Sequence, residues 1–179
     1  SHSPRELGGS AFAQTLGRVG RRTPDVKDTE YFKKAFAAVQ AVIGRGLAVS
    51  GHDISAGGIL TTLLEMCFAQ VNLVAEIDLS SLGEEDPVKL LFAQNPGVLL
   101  QVRDTEAVRK IFEEYGVEIH VIGRAKAGKE LKVKNGGETL SFHVPQLRDI
   151  WYKSSYLLDR RQSGAQKAKE RYDNYKQQD

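Results

Sequence analysis

The residues best suited to chemistry lie in one short stretch, Gly51-His52-Asp53-Ile54-Ser55-Ala56-Gly57-Gly58. It follows an apolar run and precedes an amphipathic segment, a pattern that predicts a buried strand, a loop and then a helix. The first N–H groups of a helix have no intrahelical partner and carry partial positive charge, so this position favours anions. Gly57 and Gly58 lack Cβ atoms, which lets a ligand or another backbone approach closely.

Three polar side chains of this stretch could complete a site. Asp53 supplies a carboxylate before the helix, which suits Mg²⁺ that bridges phosphate oxygens. Ser55 can bind phosphate or cap the helix. His52 can orient Asp53, contact phosphate, or be a neutral histidine satisfied within the turn. The stretch therefore predicts a metal and phosphate site, and the alternative is a tight turn in which Asp53 or Ser55 caps the helix.

Known phosphate-binding loops do not explain the stretch. No lysine follows the two glycines, so the pattern is not a Walker loop, and it does not match the dinucleotide fingerprint either.

The composition describes one ordinary domain of 179 residues with a formal net charge of +2. Basic and acidic residues are mixed, so no nucleic-acid surface is predicted. No apolar run approaches the roughly 20 residues needed to span a membrane. The single cysteine, Cys67, falls in the apolar stripe of a helix, which predicts a core thiol and a reducing, cytoplasmic location. Because the first residues, Ser1-His2-Ser3-Pro4, are not an initiator sequence, we expect the chain either to begin inside a longer protein or to carry a few added residues at its start.

Periodicity and turn residues predict interleaved helices and strands. The predicted elements are a short helix from Ser10, a helix from Asp28 to Gly44, a buried strand over 47–50, a helix to about Gln70, a strand over 71–77, a short helix over 87–93, a central strand over 98–102, a helix from Asp104 to Gly116, a strand over 117–121, a hairpin over 131–144 and a last helix from Pro145. Residues 163–179 are predicted to fray or to dock elsewhere. The fold class that follows is α+β, a layered domain with a mixed β-sheet and packed helices.

The motif His52–Gly58, followed by Leu64-Glu65-Met66-Cys67-Phe68-Ala69, resembles the second AIR-synthase-related C-terminal domain of the large phosphoribosylformylglycinamidine synthases. Three further stretches agree in order: Gly8–Gln14, Leu90–Phe92 with Gly97 and Gln101-Val102, and Leu147–Tyr156. The match covers about residues 7–172, and several motifs in register are more specific than one motif alone.

The resemblance implies the domain limits and the partners. Residues 1–27 would link to a preceding AIR-synthase-like N-terminal domain, 28–162 would form the C-terminal domain, and 163–179 would lead towards a glutaminase domain. The implied partners are these two domains and a pseudo-symmetric copy in the first half of the same protein. Neither a nucleic acid nor a membrane is expected as a partner.

The resemblance also implies an activity. The family converts formylglycinamide ribonucleotide, glutamine and ATP to the amidine in de novo purine biosynthesis, by phosphorylating the amide oxygen and displacing it with ammonia. The implied cofactors are ATP or ADP and Mg²⁺, and the nucleotide bound here would be auxiliary and structural. Asp53 is similar to a Mg²⁺ ligand and Ser55 to a nucleotide contact, with His52, Gly57 and Gly58 beside them. None is expected to be catalytic, and the isolated fragment is expected to be inactive.

One position departs from the family pattern. Ala56 stands where the family often has Asp, so a second carboxylate is missing at the helix start. Its loss would ease the approach of phosphate and weaken metal binding. Two alternatives stay open: a domain of another AIR-synthase-superfamily enzyme, such as a selenophosphate or thiamine-phosphate kinase type, which would lack the closing helix, or a structural docking module that holds no ligand.

Overall fold

The structure of the chain is a computed structural model that describes residues 3–70 and 72–175. Its elements in chain order are α1 (Ala11–Thr15), α2 (Thr29–Gly44), β1 (Ala48–Asp53), α3 (Gly58–Phe68), β2 (Leu73–Asp78), a 3₁₀ turn (Ser80–Leu82), α4 (Pro87–Phe92), β3 (Val98–Val102), α5 (Thr105–Glu114), β4 (Gly123–Ala127), β5 (Glu130–Asn135), β6 (Glu138–His143), α6 (Val144–Ser163) and α7 (Ala165–Asn174). Four helices begin at polar caps, Ser10, Asp28, Asp86 and Asp104, which accept hydrogen bonds from backbone N–H groups of the first turn.

The strands form two sheets. The larger has the order β4-β2-β5-β6 and is mixed, since β2 pairs with β5 in parallel and the other neighbours are antiparallel. The smaller consists of β1 and β3, which pair antiparallel and place Asp53 opposite Val98. The predicted hairpin is confirmed as β5 and β6, with Gly136 at φ +57 in its turn.

Two apolar cores flank the smaller sheet. The larger core combines α3, α4 and the four-stranded sheet around Leu79 and Leu131, both fully buried. The smaller core joins α2 to α5. Strand β3 contributes to both, because Leu99 packs against the larger core and Leu100 against the smaller one. Successive side chains of a strand point to opposite faces, so β3 lies between the two cores. Because β1 pairs with β3, the β1–α3 junction lies at the border between the cores.

The α+β fold with a mixed sheet is confirmed, but three strand predictions are wrong. β1 was expected to be buried and β3 central, yet Val49 is 48% exposed and each strand pairs with only one other described strand. An apolar run does not reveal how many neighbours a strand has. The described residues 117–121 form no strand. The strand is β4, whose five residues are all exposed and include no large apolar side chain. Val71, the first residue of another predicted strand, lies outside the described residues.

The expectation that residues beyond 163 fray is wrong over 165–174, which form α7. Gly164, at φ +86, reverses the chain so that α7 packs on α6. Arg171 donates two hydrogen bonds to Asp159, of 2.8 and 2.7 Å. The rings of Tyr152 and Tyr175 stack with centroids 4.1 Å apart. Residues 176–179 lie outside the described range, and the predicted domain limits stay predictions. Among the described residues, no helix is long and apolar enough to cross a membrane.

Truncating the centre of the larger core should destabilise the domain. Leu131 is fully buried in β5, so Leu131→Ala leaves a cavity and should lower the free energy of unfolding by about 2–5 kcal/mol. Urea denaturation measures the change. Leu140→Ala on the neighbouring strand is the control, because Leu140 is 41% exposed and its truncation should cost far less. Equal losses in the two variants would contradict this assignment of the core.

The docking of α7 should depend on the charge of Asp159. The Ser163 hydroxyl, and then the Arg171 guanidinium, hold the pKa of Asp159 below its usual value. A lowered pKa means that this contribution is present above the ordinary aspartate pKa and is lost as the pH falls through the lowered value. Asp159→Asn should therefore weaken the α6–α7 contact at neutral pH, as acid does in the unsubstituted chain.

Near-ultraviolet circular dichroism can measure this, because four of the six tyrosines stack between α6 and α7. Asp159→Asn should reduce the tyrosine signal at pH 7 and abolish the loss of signal that the unsubstituted chain shows as the pH falls through the lowered pKa of Asp159. Asp173→Asn is the matched control, since Asp173 pairs only with Lys169 of its own helix among the described residues. An unchanged signal in Asp159→Asn would show that aromatic packing alone holds α7.

Candidate functional site

The junction between β1 and α3 is anchored at its strand end. Asp53 is the last residue of β1, and the next residue, Ile54, donates its N–H to the carbonyl of Gly97 at 2.8 Å. The Ile54 side chain packs on the larger core. A Cβ added at Gly97 would lie 2.9 Å from Ile54 Cδ1, so the absence of a side chain at Gly97 leaves room for Ile54. The backbone that carries Asp53 is therefore fixed to the start of β3.

The main-chain carbonyl of Asp53 accepts two hydrogen bonds. His52 Nδ1 lies 2.7 Å from it, and Thr62 Oγ1 lies 3.1 Å from it and 3.2 Å from the carbonyl of Gly58. A carbonyl only accepts, so His52 Nδ1 carries the proton. The Asp53 side chain is 74% exposed, and its Oδ1 lies 3.6 Å from His52 Nδ1. The result is an exposed carboxylate, with only His52 near it among the described residues, on a main chain held from two sides.

His52 also contacts α3. Its Nε2 lies 3.2 Å from Oε2 of Glu65, whose Oε1 accepts a hydrogen bond of 3.1 Å from Trp151 Nε1. These three side chains line an open cleft of about 310 Å³ together with Phe68, Ala69 and Tyr152. Glu65 was not singled out from the sequence, although it lies in the Leu64–Ala69 motif. The available signal was its spacing, seven residues from the helix start, on the face that turns towards β1.

The two glycines have packing roles within the chain. Gly58 is buried at φ +70, and a Cβ there would lie 2.5 Å from the carbonyl oxygen of Leu91. Its N–H donates to the carbonyl of Ser55 at 3.0 Å. The N–H of Gly57 lies 3.0 Å from the amide oxygen of Gln94, in the orientation that satisfies that amide. The sequence predicted the close approach of a ligand or of another backbone, and the backbone of α4 lies against Gly58; ligand contacts of the glycines stay predictions.

The capping alternative is wrong. The N-cap of α3 is Gly57, at φ +88, and no side chain caps it. Asp53 lies in the strand, and the Ser55 hydroxyl makes no hydrogen bond to any described residue. Both polar side chains are exposed and so remain available to a ligand. The structure brings His52, Asp53 and Ser55 to one junction, as predicted.

The residues present fit Mg²⁺ only in part. A single exposed carboxylate suits Mg²⁺, which commonly takes one or two carboxylates, phosphate oxygens and waters. Within residues 3–70 and 72–175, no group of three or more His, Cys, Asp or Glu side chains could hold a metal ion. A metal bound at this junction would therefore need oxygen ligands beyond the Asp53 carboxylate.

The remaining reactive side chain is in the core. Cys67 is buried on α3, and burial raises the pKa of its thiol above the ordinary value. A raised pKa keeps the thiol protonated near neutrality, which disfavours a nucleophile. The prediction of a core cysteine is confirmed.

These features define a class of protein: an α+β domain with a mixed sheet, in which a strand-loop-helix junction exposes one carboxylate. The family described as AIR synthase related protein, C-terminal domain, matches residues 2–135. The chain belongs to this family.

The predicted resemblance to phosphoribosylformylglycinamidine synthases is confirmed by similar proteins of that name. A probable chloroplastic/mitochondrial phosphoribosylformylglycinamidine synthase of Arabidopsis thaliana is 38% identical over 161 residues, covering 88% of this chain and 11% of that protein. The Homo sapiens phosphoribosylformylglycinamidine synthase is 35% identical over 169 residues, covering 91% of this chain and 12% of that protein. The chain thus spans about a tenth of the length of these relatives. Because the Arabidopsis relative is chloroplastic/mitochondrial by name, a cytoplasmic location stays a prediction.

Solved structures share the fold. Thermotoga maritima PurL complexed with ATP matches with a TM-score of 0.59 at 18% identity, over 69% of this chain and 23% of that chain. The structure of PurLQS from Thermotoga maritima matches with a TM-score of 0.59 at 19% identity, over 79% of this chain and 24% of that chain. At this identity the comparison establishes the fold alone.

Replacing Gly58 should disrupt the junction. Gly58→Ala forces a Cβ into a left-handed backbone and against the carbonyl oxygen of Leu91, which should cost at least about 2 kcal/mol of unfolding free energy. Thermal and urea denaturation measure the loss. Gly44→Ala at the end of α2 is the control, because its Cβ meets open space and should stabilise by up to about 1 kcal/mol. A neutral Gly58→Ala variant would contradict the packing described here.

Proposed function

We propose that this chain is a segment of an ATP-dependent ligase, a phosphoribosylformylglycinamidine synthase, which converts formylglycinamide ribonucleotide, glutamine and ATP to formylglycinamidine ribonucleotide. The names and identities of the relatives support the proposal, as does a match that spans 88% of this chain. The chain supplies about a tenth of such an enzyme. We infer that the isolated segment is inactive and that catalysis belongs to the whole.

Within that enzyme, the role we propose for this domain is to bind a Mg²⁺-nucleotide. The observation that carries the proposal is the exposed Asp53 carboxylate, on a main chain fixed by His52 and Thr62, beside the start of α3. When bound, Mg²⁺ neutralises and bridges phosphate oxygens. Asp53 would hold the metal and Ser55 would contact the nucleotide, while the engaged N–H groups of Gly57 and Gly58 give the glycines a smaller part than the sequence suggested.

The remaining ligands would come from the domain that precedes this one. The single carboxylate of this junction supports that inference, because the described residues offer no metal-binding cluster. Ala56 increases the need for ligands from the preceding domain, because it leaves the helix start without a second carboxylate. A nucleotide shared between two domains would contribute to their assembly, as expected of an auxiliary, structural ligand.

A purely structural docking domain is the second candidate, favoured by a different observation. Large apolar side chains remain exposed on α2 and on the smaller sheet, among them Phe32, Phe36, Ile43, Val49 and Val98. Exposed apolar groups of this kind mark surfaces that contact other domains or proteins. We propose that they pack against the rest of the enzyme, and this role is compatible with nucleotide binding at the β1–α3 junction.

Removing the Asp53 charge tests the proposed site. In the longer enzyme that contains this chain, Asp53→Asn should lower the Mg²⁺-dependent affinity for ADP by at least about 10-fold, because it deletes a charged metal ligand. Isothermal titration calorimetry with ADP, in Mg²⁺ and in EDTA, separates the metal-dependent part. Binding in EDTA should change little.

Asp25→Asn is the matched control, since Asp25 is exposed and makes no hydrogen bond or ion pair with the described residues. It should bind like the unsubstituted enzyme. If Asp53→Asn instead binds ADP like the unsubstituted enzyme while Mg²⁺ still strengthens binding, the metal lies elsewhere. The structural docking role then explains this domain better.

A further inference from the structure

The unexplained group at the junction is Glu65. It lies on the second turn of α3, and its carboxyl side chain is only 24% exposed. One oxygen faces His52 Nε2 at 3.2 Å, and the other accepts from Trp151 Nε1 at 3.1 Å. A partly buried carboxylate with both oxygens committed to ring nitrogens is held in one orientation.

His52 transmits this orientation to Asp53. Both ring nitrogens face oxygen atoms, since Nδ1 lies 2.7 Å from the carbonyl of Asp53 and Nε2 lies 3.2 Å from Glu65. A carboxylate only accepts, so Nε2 donates to Glu65 when it too carries a proton, and that contact then fixes the ring plane in which Nδ1–H points at the carbonyl. In metal sites a carboxylate commonly orients a metal-ligating histidine through its second ring nitrogen; here the same kind of contact would orient a histidine that holds the main chain of the proposed ligand Asp53.

The last long helix completes the chain of contacts. Trp151 of α6 holds Glu65 and also packs its ring 5.8 Å from that of Phe68. Arg148, one turn earlier, donates to the carbonyl of Phe68 at 3.3 Å, at the end of α3. These contacts place Glu65 between α6 and the end of β1, so the position of α6 is linked to the backbone of Asp53.

We propose that Glu65 is a positioning residue for the Mg²⁺-nucleotide site: through His52 it aims the main chain that presents Asp53, and through Trp151 it ties that geometry to α6. The proposal rests on the proposed function of Asp53. Glu65 does not touch the ligand in this scheme, so its removal should affect the metal-dependent part of nucleotide binding and leave the rest.

The test uses Glu65→Ala in the longer enzyme, with ADP titrated in Mg²⁺ and in EDTA. We expect the Mg²⁺-dependent affinity to fall about 10-fold and the affinity in EDTA to stay within about threefold of the unsubstituted value. Glu65→Gln should retain most of the affinity, because its amide can accept from Trp151 and donate to His52 Nε2, which keeps Nδ1–H on Asp53. Glu113→Ala on α5 is the matched control, since Glu113 is exposed and without a side-chain partner among the described residues.

The double variant gives the sharper result. If Glu65 acts through His52, then His52→Ala lowers the Mg²⁺-dependent affinity by a similar factor, and Glu65→Ala added to His52→Ala lowers it no further. His52→Ala also carries the test if Glu65→Ala does not fold. Additive losses, or a Glu65→Ala variant that binds like the unsubstituted enzyme, would overturn the proposal.

The same titrations separate this proposal from the function beneath it. If Asp53→Asn loses affinity and Glu65→Ala does not, the site stands and the positioning role falls. If Asp53→Asn also has no effect, both fall. A loss for Glu65→Ala that is equal in Mg²⁺ and in EDTA, with a lowered thermal midpoint, would mark Glu65 as merely structural and overturn the proposal.

Discussion

The carbonyl of Asp53 is the point on which the candidate site depends, because it is the acceptor shared by β1 and α3 through His52 and Thr62. Helix α3 begins without a side-chain cap, and its start is set instead by Gly57 and by the packing of Gly58 under α4. If Asp53 or Ser55 capped the helix, its side-chain oxygen would accept a hydrogen bond from a helix N–H group and would not be available to a ligand. Since tertiary contacts fix this junction, the side chains of Asp53 and Ser55 stay exposed. The helix then lacks the stabilisation of a side-chain cap, a local departure that is common at functional sites.

The position of the junction follows from the two cores. β3 sends Leu99 into one core and Leu100 into the other, and β1 is paired to it with Asp53 opposite Val98. The end of β1 is therefore held by two packed layers instead of by a loop of its own. Rigid support of this kind is what a ligand-binding carboxylate requires, because binding then orders few additional groups.

Local sequence signals predicted the parts of this structure that local chemistry determines. Asp28 and Asp104 start helices, and Asn135-Gly136-Gly137 turns a hairpin, because caps and turns depend on neighbouring residues. Non-local features were less visible. The pairing of β1 with β3 is set by residues distant in sequence. β4 lies at a sheet edge and carries no large apolar side chain that would mark it as a strand. The stack of Tyr152 on Tyr175 escaped prediction because aromatic contacts, and not an aliphatic stripe, hold α7.

The residues that lie at the junction were predicted, but their packing contacts were not, and their binding roles stay predictions. His52, Asp53 and Ser55 meet at one junction, whereas Gly58 packs against the backbone of α4. The contact of Glu65 with Trp151 depends on where α6 lies, which the sequence does not show. A junction with one carboxylate binds a metal weakly unless other oxygens join it. If those oxygens belong to a nucleotide and a second domain, the ligand binds only the assembled pair and stabilises that assembly by its own binding free energy. Because this domain supplies few ligands, the proposed nucleotide would bind only when both domains are present, which gives it a structural role. A site complete within one domain would bind its ligand whether or not the second domain was present.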